Sequence, residues 1–162
     1  MNAVSPLPQS QTLTVRPGTR ADLPAVLALY GQPDFNGDNV LSLEEAEAKL
    51  ARFADYPDYI LYVAEQNGAI VGTFCLMVID NLARRGRFSG LIEAVVVSSG
   101  HQGEGLGKIM LRRAIEMAAE KGCYKVALSS GFKAENAHAF YDSLGFERHG
   151  VSFLLPLPEK SA

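Results

Sequence analysis

The sequence predicts an α/β fold with mixed strand pairing (α+β), and three observations lead to it. Short β-branched runs alternate with amphipathic segments in the order β-α-α-β-β-β-α-β-α-β. The pair Asn67-Gly68 stands between two apolar runs, which indicates a tight hairpin and therefore antiparallel neighbours. A glycine-rich connection at residues 98–105 joins a Val-rich strand to a long helix. These patterns together predict one sheet with helices packed on it.

The N-terminal half shows clear turn and capping signals. Thr19 and Asp22 have the spacing of a helix start, and so do Ser42 and Glu45. We therefore predict a strand at 12–16, helices at 19–31 and 42–56, and strands at 59–65 and 69–80.

The C-terminal half begins with a basic turn at Arg84–Arg87 and a β-branched, apolar strand that we expect to be buried. In two amphipathic segments the helical spacing of apolar residues ends at a glycine, Gly122 in one and Gly145 in the other, as is common at helix C-termini. The predicted elements are a strand at 90–98, a helix at 105–121, a strand at 124–129, a helix at 134–144 and one or two final strands within 146–155.

Size and composition fit one globular domain. The chain has 162 residues, of which 48% are hydrophobic and 20% charged, and its net charge is −3. We expect a single domain at 12–155, a flexible tail at 1–11 and a C-terminal tail at 156–162. The slightly acidic balance argues against a nucleic-acid partner, which leaves a basic footprint.

The cysteines and the apolar runs bear on the compartment. Cys75 and Cys123 lie in apolar segments without a second cysteine nearby, as buried free thiols in a reducing compartment do. Residues 1–11 lack the basic start and apolar stretch of a signal peptide. The longest apolar run, Ala69–Ile79, is too short to span a bilayer. The expectation is a cytoplasmic protein with no membrane partner.

The glycine-rich connection is the segment most suited to ligand chemistry. Glycines at a strand-to-helix turn let a ligand approach the backbone, and the first helix amides have no internal partner and favour anions. A Walker A loop fails because Gln102 and Ile109 stand where Gly and Ser/Thr are needed. A dinucleotide fingerprint fails because its third glycine would fall at Lys108. The remaining pattern is Gln102-x-x-Gly105-x-Gly107.

This pattern, after a Val-rich strand, resembles the pyrophosphate loop of GNAT N-acetyltransferases. A second block, Ala137 to Phe146, is similar to the family's A-x-x-F-Y-x-x-x-G-F. The entry into the first helix, Arg16 to Asp22, also resembles the family, so the likeness covers about residues 12–155. It implies a central, mixed, mostly antiparallel twisted sheet of about six to seven strands. About four helices would flank that sheet, which would be splayed between its fourth and fifth strands.

The resemblance also implies the cofactor and its site. Acetyl-CoA would lie in the splayed opening as cosubstrate, with its pantetheine arm along the fourth strand, and no metal is required. The implied cofactor-binding residues are Val95, Val96 and Val97 on the strand, and Gln102, Gly103, Glu104, Gly105, Leu106, Gly107 and Lys108 at the loop and helix start.

Two side chains are candidate catalytic groups. Tyr141 occupies the place of the family's general-acid tyrosine, and a phenol of pKa about 10 can protonate a thiolate. The alternative is a core aromatic, because Tyr141 shares a helical face with Leu144. Glu93 is the candidate base, since a carboxylate inside an apolar strand is costly unless it is paired or used. We expect burial to raise the pKa of Glu93; an ordered water as base, or an ion-paired Glu93, stays open.

The surroundings of Glu93 resemble those of one branch of the family. The segment Ile92-Glu93 followed by three valines is similar to glucosamine-6-phosphate acetyltransferases, although these have an acidic residue where this chain has Ala94. The glutamate of histone-type members would fall at Leu91, which cannot act as a base. A backbone N–H near Val95 is the expected oxyanion donor.

The expected function is acetyl-CoA-dependent N-acetylation of a primary amine by direct transfer, with a small molecule as acceptor. An enzyme that acetylates protein N-termini or lysines is the alternative, and a non-catalytic CoA-binding regulatory module is a further one. Homodimers are common in the family, so a second copy of the chain is a candidate partner.

Overall fold

The computed structural model describes residues 12–158. The tail expected at 1–11 lies outside the described residues, as do the last four residues of the tail expected at 156–162. The chain divides into two compact units, Met1–Leu128 and Ser129–Ala162, and each is described by itself. The described residues form five strands and four α-helices.

The N-terminal unit holds the sheet. Its elements are β1 (Thr14–Pro17), α1 (Leu23–Tyr30), α2 (Leu43–Arg52), β2 (Tyr59–Gln66), β3 (Ala69–Ile79), β4 (Phe88–Val97), α3 (Leu106–Glu120) and β5 (Cys123–Ala127). The strands lie in the order β1-β2-β3-β4-β5. The first three pairs are antiparallel and β4 pairs with β5 in parallel. The mixed, mostly antiparallel sheet expected from the sequence is confirmed.

Local turn and capping chemistry explains three of the element boundaries. Asn67 and Gly68 have φ values of 52° and 78°, the left-handed pair that a two-residue hairpin turn requires between β2 and β3. Ser42 accepts the Glu45 amide while the Glu45 carboxylate accepts the Ser42 amide, so the predicted capping box starts α2. Gly122, with φ of 80°, follows the end of α3 as predicted.

The helices α1 and α2 cover one face of the sheet and α3 covers the other. On the first face, Leu61, Val63 and Cys75 of the strands pack with Leu23 and Val26 of α1. The completely buried apolar side chains of the unit include Phe74, Leu76, Ile92, Met110 and Leu111. Burying each such side chain contributes about 1.5–3 kcal/mol. The sheet is therefore fixed from both sides, and Cys75 and Cys123 remain free thiols.

The C-terminal unit contains α4 (Glu135–Ser143), which ends before Gly145 at φ of 87°. The final strands expected within Phe146–Leu155 are wrong: no strand forms in residues 146–158. Described strands therefore number five rather than six or seven. Strand propensity reports a fit to a half-buried sheet surface, whereas Phe153, Leu154 and Leu155 are exposed.

Two helices are shorter than their periodic patterns. A 3₁₀ turn at Arg20–Asp22 precedes α1, and another at Phe53–Asp55 follows α2. Frayed first and last turns of this kind are common at helix ends. None of the helices in residues 12–158 has the length and hydrophobicity needed to cross a membrane.

Candidate active site

One edge of β4 is open over half of its length. Pairing with β5 involves only Phe88, Gly90 and Leu91, whereas the pairing with β3 runs along almost the whole strand. Among the described residues, Ile92–Val97 has no strand partner on the β5 side. β5 ends at Ala127, which pairs with Leu91, so β5 leaves the β4 edge beyond Leu91 uncovered. An extended ligand with amide groups could pair with this edge.

A β-bulge lies in the open half of β4. Cys75 pairs with Glu93 and Thr73 pairs with Val96, so three steps on β4 face two steps on β3. The extra residue is Ala94, whose φ of 50° is left-handed. A bulge turns the backbone locally and leaves its extra residue unpaired. Ala94 therefore has no partner residue in the β3 register.

The C-terminal end of β4 is bound by a side chain from a distant loop. The Ser98 amide donates to the Val71 carbonyl at 2.8 Å, so the neighbouring Val97 carbonyl faces away from β3. Gln32 Nε2 donates to that Val97 carbonyl at 3.1 Å, and Gln32 Oε1 accepts the Ser99 amide at 2.5 Å. The carboxamide thus bridges the last residue of β4 and the connection that follows.

Two glycines of the glycine-rich connection have a left-handed backbone conformation. Gly103 and Gly105 have φ values of 85° and 80°, and a Cβ added at either would meet nothing within 4 Å. Gly105 is the N-cap of α3, and Leu106 anchors the helix start in the core. Gln102–Gly105 is exposed. Exposed backbone at a helix N-terminus, with open space in front of it, suits a diphosphate.

His101 supplies a further sign of an anion or polar ligand at this connection. Its Nδ1 is buried and has no hydrogen-bond partner in the described part of the chain. Buried polar atoms are satisfied in most proteins, so such an atom calls for a partner. Lys108 in the first turn of α3 adds a positive charge. The residues present therefore fit CoA, with amide groups along β4 and phosphates at the glycines.

Glu93 is placed differently from the expectation. Its side chain is exposed, so the expected burial is wrong: Glu93 lies beyond Leu91, where β5 no longer covers the edge of β4. Cys75 lies directly opposite on β3 and is buried, which raises the pKa of its thiol to about 11. Glu93 therefore faces solvent beside a protonated, neutral neighbour.

Tyr141 belongs to the C-terminal unit. It lies in the last turn of α4, half-buried, with its ring edge-on to Phe146 at 5.8 Å and tilted against Phe140 at 5.4 Å. Burial raises the pKa of Tyr141. The phenol is therefore held in its protonated form at neutral pH.

The predicted residues thus fall into two groups. Glu93, Val95–Val97 and Gln102–Lys108 follow one another along a continuous stretch of the N-terminal unit, while Tyr141 lies in the other unit. Sequence reasoning missed the bulge at Ala94, because a left-handed position favours Gly, Asn or Asp. It also missed Gln32, whose partners lie 65 and 67 residues away with no local signal.

Comparison with known proteins identifies the class. Residues 24–146 match the acetyltransferase (GNAT) family, and the chain belongs to this family.

Among its relatives is glucosamine 6-phosphate N-acetyltransferase of Trypanosoma brucei brucei, 40% identical over 97 residues. The match covers 60% of this chain and spans only 64% of that relative's length. The fold is shared with a solved Trypanosoma brucei acetyltransferase at TM-score 0.76 and 34% identity, covering 90% of this chain and all of that one. It is also shared with glucosamine-6-phosphate N-acetyltransferase of Arabidopsis thaliana at TM-score 0.79 and 26% identity, covering 91% and 100%.

Proposed function

We propose that this chain is an acetyl-CoA-dependent N-acetyltransferase that acetylates the primary amine of a small molecule by direct transfer. The observation that carries the proposal is the order of two features along the backbone. The edge of β4 that β5 leaves uncovered begins at Ile92 and ends at Val97, whose carbonyl is bound by Gln32. The connection that follows carries the left-handed glycines Gly103 and Gly105. An amide-binding edge followed by an anion cradle matches the pantetheine amides and the diphosphate of CoA.

An amino sugar phosphate is the first acceptor to test. The relative from Trypanosoma brucei brucei is named a glucosamine 6-phosphate N-acetyltransferase. The Ile92-Glu93 segment of this chain, with the valines that follow, resembles the same group of enzymes. The two free cysteines, Cys75 and Cys123, support action in a reducing compartment. We also propose that the protein is cytoplasmic and forms a homodimer.

The chain's residues have three chemical tasks. Bound acetyl-CoA supplies an activated thioester carbonyl. A backbone N–H near Val95, next to the bulge, would donate to the oxygen of that carbonyl as negative charge develops. Glu93, exposed at the open edge, or a water that it orders, would accept the proton of the attacking amine. An exposed carboxylate suits the second arrangement, since water reaches it directly.

Tyr141 is proposed to protonate the departing thiolate. A phenol whose pKa is raised by burial stays protonated at neutral pH and keeps its proton available. A free thiol has a pKa near 8.5, so proton transfer from the phenol to the thiolate is energetically unfavourable. The difference between the two pKa values is small enough for the phenol to assist departure of the thiolate. The alternative is a tyrosine that only packs against Phe140 and Phe146. The substitution Tyr141→Phe distinguishes the two roles, because it removes the hydroxyl and keeps the ring.

The experiment is a free-thiol assay of the purified full chain with acetyl-CoA and a panel of amines. We expect thiol release with glucosamine 6-phosphate and an acetylated product of matching mass. Glucose 6-phosphate is the matched control, because it carries the same phosphate and ring but no amine. Release that is equal with both sugars would be hydrolysis and would contradict amine transfer. Release only with peptides would redirect the proposal to a protein acceptor.

A further inference from the structure

Gln32 takes the hydrogen bonds that a neighbouring strand would take at the end of β4. Its carboxamide donates to the Val97 carbonyl at 3.1 Å and accepts the Ser99 amide at 2.5 Å. A carbonyl and an amide two residues apart on the same strand edge are the groups that a parallel neighbour uses. The side chain therefore binds the outward carbonyl of the last β4 residue and the amide of Ser99, which begins the 3₁₀ turn after the strand.

The backbone of Gln32 is itself held in a closed loop. Its carbonyl accepts the amides of Phe35 at 2.9 Å and Gly37 at 3.1 Å. The Asn36 amide donates to the Tyr30 carbonyl at 3.2 Å, and the rings of Tyr30 and Phe35 stack at 5.5 Å. A long side chain that starts from an ordered backbone loses less conformational freedom when it makes two hydrogen bonds. The Gln32 side chain is thus held in place, and we call it, with its hydrogen bonds to Val97 and Ser99, the clamp.

The clamp lies where two proposed cofactor contacts meet. On one side is the β4 edge from Ile92 to Val96, which β5 leaves uncovered, and on the other is the connection through Gly103 to Gly105. The Ser98-Ser99 step between them determines how the edge and the glycines are aligned. CoA would have to contact both segments at once. If the two segments are not already aligned, part of the binding free energy is lost to ordering them.

We propose that Gln32 is a positioning residue for acetyl-CoA: by bridging Val97 and Ser99 it holds the β4 edge and the glycine-rich connection in the binding arrangement. This inference rests on the proposed function, because it takes acetyl-CoA as the ligand. The clamp itself is a property of the free chain and is measured without any ligand.

The test uses two variants and one control. Gln32→Leu keeps much of the side-chain volume but removes both hydrogen bonds. Gln32→Glu keeps the length and can still accept the Ser99 amide, but it cannot donate to Val97. Asn36→Ala changes an exposed side chain of the same loop and is the matched control. Amide exchange at Ser99 is measured in the free protein, and acetyl-CoA affinity by calorimetric titration.

We expect faster exchange of the Ser99 amide in Gln32→Leu, together with acetyl-CoA binding weakened about 5- to 50-fold, as the loss of one or two hydrogen bonds implies. Gln32→Glu should retain Ser99 protection and bind with intermediate affinity, and Asn36→Ala should match the parent. If Gln32→Leu does not fold, Gln32→Glu carries the test through its affinity.

Three results would overturn the proposal, and they are distinguishable. Unchanged Ser99 exchange in Gln32→Leu would show that the clamp does not exist in solution. Faster exchange with unchanged or tighter acetyl-CoA binding would show that the clamp does not position the cofactor. Absence of acetyl-CoA binding to the parent chain, with normal Ser99 protection, would refute the proposed function and this role with it.

Discussion

Ala94 has a φ of 50°, a conformation in which a Cβ lies too close to the following carbonyl. This residue is the extra one in the bulge: two residues of β4 lie between Glu93 and Val96, but only one residue of β3 lies between their partners Cys75 and Thr73. The strain is of order 1–2 kcal/mol, and residues held in this way are concentrated at functional sites. The geometry of the candidate oxyanion donor therefore depends on a single alanine.

Substitutions at Ala94 should separate backbone strain from side-chain size. Ala94→Gly should leave the free energy of unfolding within about 1 kcal/mol of the parent, because relief of strain offsets the extra freedom of the unfolded chain. Ala94→Val should lower it by more than 1 kcal/mol, because a β-branched residue is poorly tolerated at positive φ. Urea denaturation measures both.

Ala69→Val is the matched control, since Ala69 begins β3 and lies outside the residues with positive φ. Valine suits a strand, so this change should be neutral or stabilising. Equal destabilisation by both valine substitutions would mean that the left-handed conformation of Ala94 is not maintained in solution.

Tyr141→Phe should lower the turnover number about 10²–10⁴-fold with little change in acetyl-CoA affinity, as loss of a general acid does. The ring and its packing against Phe146 are kept, so the stability should change little. Steady-state kinetics and calorimetric titration measure the two effects. Tyr56→Phe removes the hydroxyl of an exposed tyrosine and should leave both values unchanged. A Tyr141→Phe enzyme as fast as the parent would assign the tyrosine to packing alone.

At the scale of elements, β4 and α3 act through the connection between them. Gly105 is the N-cap of α3 and has a φ of 80°. A side chain at this position would meet open space, so the obstacle is the backbone conformation rather than a clash. The direction of the first α3 amides therefore depends on glycine.

Gly105→Val should weaken acetyl-CoA binding at least tenfold, because relaxing the left-handed residue turns the helix amides away from the diphosphate. Gly150→Val is the control: a Cβ there also meets open space, and Gly150 lies outside the residues with positive φ. Titration calorimetry compares the two. Tight binding by Gly105→Val would remove the glycine-rich connection from the binding site.

The start of α1 depends on a buried ionic cap. Arg16 donates to both carboxylate oxygens of Asp22 at 2.8 Å, and the Thr19 amide donates to one of them at 2.7 Å. The hydrogen bonds from Arg16, with those from Thr19, hold the pKa of Asp22 well below its usual range. Since the folded pKa is lowered, this stabilisation is complete above about pH 4 and is lost as the pH falls below that value.

Asp22→Asn should lower the free energy of unfolding by about 1–3 kcal/mol at pH 7, because the partly buried Arg16 loses the charged acceptor of its hydrogen bonds. The difference from the parent should narrow below about pH 4, because the Asp22 carboxylate of the unfolded parent protonates there while that of the folded parent stays ionised. Urea denaturation at pH 7 and at pH 3.5 measures it. Asp34→Asn, an exposed loop substitution, should be neutral. A difference that does not depend on pH would contradict the ionic cap.

Elements fixed by local chemistry were predictable from the sequence. The Asn67-Gly68 hairpin, the Ser42/Glu45 capping box and Gly122 each follow from residues within four positions of one another. The exposure of Glu93 and the bridge from Gln32 were not predictable in this way, because both depend on how distant strands pair. The final strands failed for a related reason, since propensity does not supply a neighbour to pair with.

At the scale of the whole molecule, the sequence placed most of the candidate site in one stretch of chain, and the structure keeps it continuous from Glu93 to Lys108. The family resemblance drawn from two short blocks is confirmed over residues 24–146. The division into two compact units, with Tyr141 in the second, was not predictable from those blocks. The identity of the amine depends on side chains that no motif specifies.

Calorimetric titration of the purified full chain with acetyl-CoA determines whether this chain binds the cofactor. We expect saturable binding at one site per chain, weakened by Gly105→Val and by Gln32→Leu and unchanged by Gly150→Val. Absence of measurable heat and of competition by CoA would contradict it, because the open β4 edge and the glycine-rich connection would then have no cofactor to hold.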